Sequence, residues 1–274
     1  MSAAAGVMRH ARRAALASIA VLGSGCATVP GGAGDSMAVA SRPLSDQSAS
    51  GPAETRARVH VELGMAYVEV GRYDVALDEA AIALADLPAY APAFHLKALA
   101  YMLIGEDAAA QANFEQALRL APGDPDFNNS YGWFLCARDR EAEGLERLAR
   151  AARNPYFRYP SRPYTNAGLC YLRIGDNAAA EQQFELALAA DPANAVAMLQ
   201  LADIAYRGGR YERARTQLIR LHQQFGPSAE SAWLGLRTER RLGNRDAEAS
   251  YAAQLETRFA DSDEHHKMME GKYE

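Results

Sequence analysis

The chain has 274 residues, a formal net charge of −5, 49% hydrophobic residues and 23% charged residues. That length admits one large domain or two small ones, and the composition is that of a globular protein. The mildly acidic balance offers no basic footprint, so no nucleic-acid partner is expected. Aromatic residues make up only 8% while alanine recurs throughout. Alanine combines the best helix propensity with little bulk, which favours closely packed helices.

The amino terminus is a processing segment, not part of a fold. Arg9, Arg12 and Arg13 precede the apolar run from Ala14 to Leu22. That run is far shorter than the ~20 residues a bilayer-spanning helix needs. The following Leu22-Gly23-Ser24-Gly25-Cys26 resembles the lipobox read by lipoprotein signal peptidase. It departs from that pattern in having Gly23 where a branched aliphatic residue is usual, with Leu22 one place further back. The alternative is an ordinary secretory signal with an incidental cysteine. On the lipoprotein reading, residues 1–25 are removed and Cys26 becomes the lipidation site. It would then carry more than one hydrocarbon chain, enough for stable attachment to a membrane. Because Ala27 and not aspartate follows, the resemblance implies the periplasmic face of a Gram-negative outer membrane. Residues 26–55 complete this anchor region, and from Thr28 to about Pro52 they are rich in Gly, Ser, Ala and Pro without helical periodicity. Such a composition buries too little apolar surface to offset its ordering entropy and predicts a flexible tether.

From Arg56 onward the sequence repeats itself. Tyr67 and Tyr101, Gly71 and Gly105, Ala76 and Ala110, Ala83 and Ala117, and Pro88 and Pro122 are each 34 residues apart. A 34-residue period with this pattern is the tetratricopeptide signature. Another clear repeat carries Gly168, Tyr171, Gly175, Ala180, Phe184, Ala187 and Pro192. Between them lies a degenerate one with Tyr131, Gly132, Leu135, Gly144, Leu148 and Ala151. Gly132 to Gly168 spans 36 residues, so the loop around Pro155–Pro163 carries two more than the period. A fifth repeat holds Gly209, Ala214, Leu218 and Pro227, and a weaker sixth holds Gly235, Gly243, Ala247 and Tyr251. The expected architecture is all-α: a tetratricopeptide superhelix (α-solenoid) of six helix-turn-helix repeats over residues 56–260. A polar, frayed tail is expected over 261–274. Small residues at the eighth position of each repeat (Gly64, Ala98, Gly132, Gly168, Ala202) let paired helices approach closely.

In such superhelices the first helix of each repeat lines the concave face. Its inward positions are Val61, Met65 and Val68; His95, Leu99 and Met102; Asn129, Trp133 and Cys136; Thr165, Leu169 and Leu172; and Leu199, Asp203 and Tyr206. This predicts an apolar partner-binding groove, with methionine and tryptophan suited to adaptable contacts with a hydrophobic protein segment. The alternative for any one of them is packing against the adjacent hairpin.

Cys136 and Cys170 fall on the first helices of repeats three and four, which run side by side. In an oxidising periplasm this predicts a disulfide, with free buried thiols as the alternative. No catalytic motif is found: no G-x-S-x-G elbow, Walker loop, H-E-x-x-H or zinc-spaced cysteine pair. The chain is expected to be no enzyme and to need no cofactor, metal or small-molecule substrate. His265-His266 reads as solvated, and Asn154–Pro160 as an ordered inter-repeat loop able to extend a binding surface.

Asn128-Asn129-Ser130-Tyr131-Gly132-Trp133-Phe134-Leu135-Cys136 resembles the N-N-x-Y-G-x-F-L-C stretch of the type IV pilus biogenesis/stability proteins, the PilF/PilW family. Asn166-Ala167-Gly168-Leu169-Cys170 is similar to the N-x-G-x-C stretch that follows in that family. The resemblance spans roughly Arg56 to Phe259 and implies an outer-membrane pilotin. Such a protein binds the pilus secretin and promotes its insertion and multimerisation, supporting twitching motility. A general outer-membrane or cell-wall assembly adaptor is the alternative. An enzyme with repeats attached has little room, because the repeats consume nearly the whole mature chain.

Overall fold

A computed structural model describes residues 41–273, so Cys26 and the segment before it lie outside the described residues. The fold is all-α, with no strand among the described residues. Six helical hairpins follow one another: α1 (Pro52–Glu69) with α2 (Tyr73–Asp86), α3 (Ala91–Ile104) with α4 (Asp107–Leu120), and α5 (Pro125–Cys136) with α6 (Glu141–Ala152). They continue as α7 (Ser161–Arg173) with α8 (Asn177–Ala190), α9 (Ala195–Arg207) with α10 (Tyr211–Phe225), and α11 (Ala229–Leu242) with α12 (Arg245–Arg258). Each helix packs on its hairpin partner and on the next hairpin, which makes a solenoid.

The turn inside a hairpin needs one residue in the left-handed region, supplied by Gly105 at φ 84° and Gly175 at φ 77°. In the third hairpin the same place is taken by Asp139 at φ 58°, the one positive-φ non-glycine among the described residues. Aspartate visits this region at less cost than most side chains. Its carboxylate also pairs with Arg173 of the next hairpin at 3.0 Å.

Within hairpins the helices approach until backbone meets side chain. A Cβ on Gly168 would lie 2.6 Å from the ring of Phe184, and one on Gly235 would lie 2.6 Å from Tyr251. The third hairpin is tighter still, because glycine faces glycine. A Cβ on Gly144 would lie 2.6 Å from the Gly132 carbonyl oxygen and 2.5 Å from Cys136 Sγ. Cys136 and Cys170 form a disulfide with Cα atoms 5.6 Å apart, joining the third and fourth hairpins.

The core of the second and third hairpins is aromatic. Phe114, Phe127, Tyr131 and Phe134 are all buried. The Phe114 ring lies 5.3 Å from that of Tyr131 and 5.4 Å from that of Phe134. His95 enters this cluster 4.7 Å from the Phe127 ring. Its Nε2 has no hydrogen-bond partner among the described residues. Burial lowers its pKa to about 4, so it folds as a neutral ring.

The structure corrects three expectations at the ends of the repeat array. The first hairpin begins at Pro52 and not at Arg56, because proline suits the first helical turn, whose N–H has no partner to lose. Residues 41–47, expected to be tether, are docked on the repeats: Pro43 is buried and Leu44 packs against the aromatic core. The tail is not frayed. It forms α13 (Asp263–Met269), capped by Ser262, with Met268 buried and the Tyr273 ring 5.5 Å from that of Trp233. The polar residues of the tail hide two apolar contacts that seal the last hairpin.

Gly144→Ala is expected to lower stability by about 1–2 kcal/mol in urea unfolding. Overpacking against the Gly132 backbone outweighs the roughly 1 kcal/mol that alanine gains in helix propensity. Replacing both Cys136 and Cys170 by alanine should lower it by about 3–4 kcal/mol, the loop-closure entropy of a 34-residue separation. The unfolded His95 ring binds a proton near pH 6.5 and the folded ring only near pH 4. Stability from the neutral ring is therefore full above pH 6.5 and lost as pH falls from there toward 4. His95→Phe should flatten that decline, read as the difference between variant and parent unfolding curves across this window.

Candidate partner-binding groove

The first helices of successive hairpins, α1, α3, α5, α7, α9 and α11, form one layer, with direct contacts between α1 and α3, α3 and α5, α5 and α7, and α9 and α11. The spacing of apolar residues along each helix decides how much of this layer is open. Val61, Met65 and Val68 lie half-buried against the core between the first and second hairpins. Leu99 and Met102 flank the aromatic core, Leu169 and Leu172 the next cluster, and Leu199 the one after. Trp133 is also half-buried. These side chains, expected to line a groove, spend part of their surface on neighbouring hairpins.

Five of the expected lining residues are instead buried. Cys136 is in the disulfide and fully enclosed, and Thr165 is buried as well. His95 turns into the aromatic core, and Tyr206 packs against the Tyr211 ring at 5.5 Å. Asn129 is buried because its Oδ1 accepts a 3.0 Å hydrogen bond from Asn166 Nδ2 on the adjacent first helix. One junction further, Asn194 Nδ2 donates to Thr165 Oγ1 at 2.8 Å. Apolar steps therefore alternate with paired polar groups whose hydrogen bonds are met within the protein. Asp203 remains half-buried and pairs with Arg207.

One contact position recurs between neighbouring first helices and takes a different chemistry at each junction. Val68 and Ala100 share one hydrophobic cluster, and Met102 and Phe134 share the next. The third junction is the disulfide from Cys136 to Cys170, and at the fourth Leu172 packs on the cluster that contains Ile204. At the fifth, the Arg237 guanidinium lies 4.8 Å from the centre of the Tyr206 ring and 5.5 Å from that of Trp233. Arg237 escaped the sequence reading because the sixth repeat is weak. Its register relative to the fifth would have pointed to it. Also missed were Val59 and Leu63 on α1 and Val70 just past its end, exposed apolar side chains between 41% and 70% accessible. Among the described residues no hairpin precedes α1.

Two surface ion pairs link neighbouring hairpins, Arg138 with Asp107 at 2.5 Å and Arg210 with Glu181 at 2.8 Å, while Arg56 with Asp86 at 2.8 Å ties the two helices of the first hairpin together. Being largely exposed, these pairs are screened by solvent and add little to stability. No group of three or more metal-ligating side chains occurs among the described residues. No helix among them is long and apolar enough to cross a membrane.

Tetratricopeptide-repeat family models match residues 91–124 and 165–230. The type IV pilus assembly protein PilF of Pseudomonas aeruginosa is 29% identical over 213 residues, covering 78% of this chain and 84% of that protein. The crystal structure of PilW, described as a widely conserved type IV pilus biogenesis factor, superposes with a TM-score of 0.71. It is 29% identical and covers 78% of this chain and 98% of that one. A solved structure of Pseudomonas aeruginosa PilF gives a TM-score of 0.72 at 27% identity, covering 80% and 99%. Both pilus proteins are matched over nearly their whole solved length. The chain carries tetratricopeptide repeats and is similar in sequence and fold to the type IV pilus proteins PilF and PilW.

Proposed function

We propose that the chain is a scaffold of type IV pilus assembly that binds the pilus secretin subunit along the groove of its first helices. In this reading Cys26 is lipidated and holds the scaffold on the periplasmic face of the outer membrane. The bound secretin segment is shielded there until it inserts and multimerises. The observation that carries the proposal is the match to PilF and PilW across the repeat array, 98% and 99% of the two solved chains. The groove floor is consistent with it. Half-buried Val61, Met65, Leu99, Met102, Trp133, Leu169 and Leu172 present apolar steps to an incoming hydrophobic segment. The amide and hydroxyl groups of Asn129 and Thr165 between them are already paired with Asn166 and Asn194 of the protein itself.

The steps act by removing apolar area from water on both sides, at roughly 25 cal/mol per Å². A charge on the floor reverses this, since it would be buried without a partner when the segment docks. Co-purification from detergent extracts of the native strain should recover the secretin with the parent chain. Trp133→Ala and Leu169→Asp should reduce recovery at least about ten-fold, equivalent to ~1.4 kcal/mol, with helical circular dichroism retained. Cys26→Ala should leave capture intact but abolish membrane fractionation and secretin multimers. Recovery of barrel-assembly or cell-wall proteins in place of the secretin, or normal multimers in a deletion strain, would refute the assignment.

A further inference from the structure

In a solenoid each hairpin contacts its neighbours, and long-range ties are not part of the architecture. The segment just before α1 breaks that rule. The Leu44 backbone N–H donates to Asp124 Oδ2 at 2.8 Å, 80 residues further along the chain. Asn154 Nδ2 donates to the Ser41 carbonyl at 2.9 Å, a separation of 113 residues. The same amide donates to the Gly123 carbonyl at 3.1 Å. Arg158 lies 3.4 Å from Asp46, and the Arg42 guanidinium is 5.5 Å from the centre of the Tyr156 ring. At the other end of the segment, Arg58 of α1 donates to the Gln47 carbonyl. Residues 41–47 thus touch the start of the first hairpin, the connector after the second and the connector after the third.

The receiving surface is built for this segment. Asp124 is 1% exposed. Its Oδ1 accepts from the Asp126 and Phe127 N–H groups at the start of α5, and its Oδ2 accepts from Leu44. Without the segment Oδ2 would be a buried charged acceptor lacking that partner, which is costly. Burial raises the Asp124 pKa, while the three backbone donors act in the opposite direction. Pro43 is buried, and Leu44 seats on the core that contains Phe114 and Phe127. The rest of the receptor is the loop from Arg153 to Pro160. This is the place where the repeat period lengthens by two residues, and it supplies Asn154, Tyr156 and Arg158.

We propose that the lengthened connector and Asp124 form a binding site for the chain's own N-terminal arm, with Ser41–Gln47 as its bound strap. The strap moves the point where the arm leaves the solenoid from the first hairpin to the junction of the third and fourth. It also braces the first three hairpins against changes in curvature, and with them the part of the groove that carries Val61 to Trp133. The arm between Cys26 and the solenoid then has 15 residues to Ser41, not 26 to Pro52. Its greatest reach is ~50 Å, compared with ~90 Å for a chain leaving at α1. None of this depends on what occupies the groove.

Hydrogen exchange on the full chain in detergent tests the docking. Amides of residues 44–47 should exchange at least about ten-fold slower than unstructured chain. Leu44→Asp should remove that protection while α7 and α8 keep theirs. Asn154→Ala, which leaves the apolar seat untouched, should raise exchange at the same amides and serves if Leu44→Asp unfolds. A photo-crosslinking side chain at position 42 tests the exit point, with adducts expected on the peptide containing Tyr156. Unprotected 44–47 amides in the parent chain, protection that survives both substitutions, or adducts confined to α1 would each overturn the strap.

Discussion

The approach of two helices to within backbone contact sets the geometry of everything else in this molecule. A superhelix has no central core, so its curvature is the sum of the rotations between hairpins. Those rotations depend on how far apart the helices of each hairpin stand. Where glycine faces glycine, at Gly132 and Gly144, the pair closes to the limit that main-chain atoms allow. That closure clears the space in which Cys136 reaches Cys170. The third junction is therefore the covalently fixed one, next to the closely packed third hairpin. It is also where the chain inserts its longer connector and receives the strap. Three devices converge on one junction, and the groove on either side inherits its shape from them.

The same logic explains what could and could not be read from the sequence. The hairpins were legible because a period of 34 leaves glycine, alanine, aromatic and proline marks at constant offsets. Asp139, in a place that glycine holds elsewhere, does not disturb the period, since aspartate tolerates the left-handed region. Which groove side chains are open was not legible. Periodicity tells which face of a helix a residue occupies, but not how far the neighbouring helix is rotated over it. His95 and Tyr206 stand at nominally concave positions and are nevertheless buried by the next hairpin. The strap and the terminal helix were missed for another reason. Their composition is polar, and each is held by a few specific contacts, Leu44 to Asp124 in one and Met268 and Tyr273 in the other. Composition averages such contacts away.

Polar groups in the groove have a role that an apolar reading overlooks. The pairs Asn129 with Asn166 and Thr165 with Asn194 cross between hairpins, so they resist sliding of one first helix past the next. An apolar contact tolerates a slip of one ångström at small cost, whereas a hydrogen bond weakens steeply as its geometry fails. The amides thus specify register while the aliphatic steps supply surface. This division lets the exposed part of the floor vary in shape without loosening the stack.

Half-burial of the floor also constrains how it can bind. A residue that already spends part of its surface on its own neighbours has correspondingly less to offer a partner. At roughly 25 cal/mol per Å², each remaining step is worth on the order of 1 kcal/mol. Association itself costs several kcal/mol in lost freedom. A segment that touched one hairpin would therefore bind poorly, and useful affinity requires contact with several hairpins at once. That in turn requires their relative orientation to be fixed before the partner arrives, since ordering them on binding would consume the gain. The disulfide at the third junction and the strap across the first three hairpins meet this requirement from opposite ends of the same stretch of groove. Rigidity placed there, at the cost of a longer connector and a buried carboxylate, makes a shallow apolar floor sufficient.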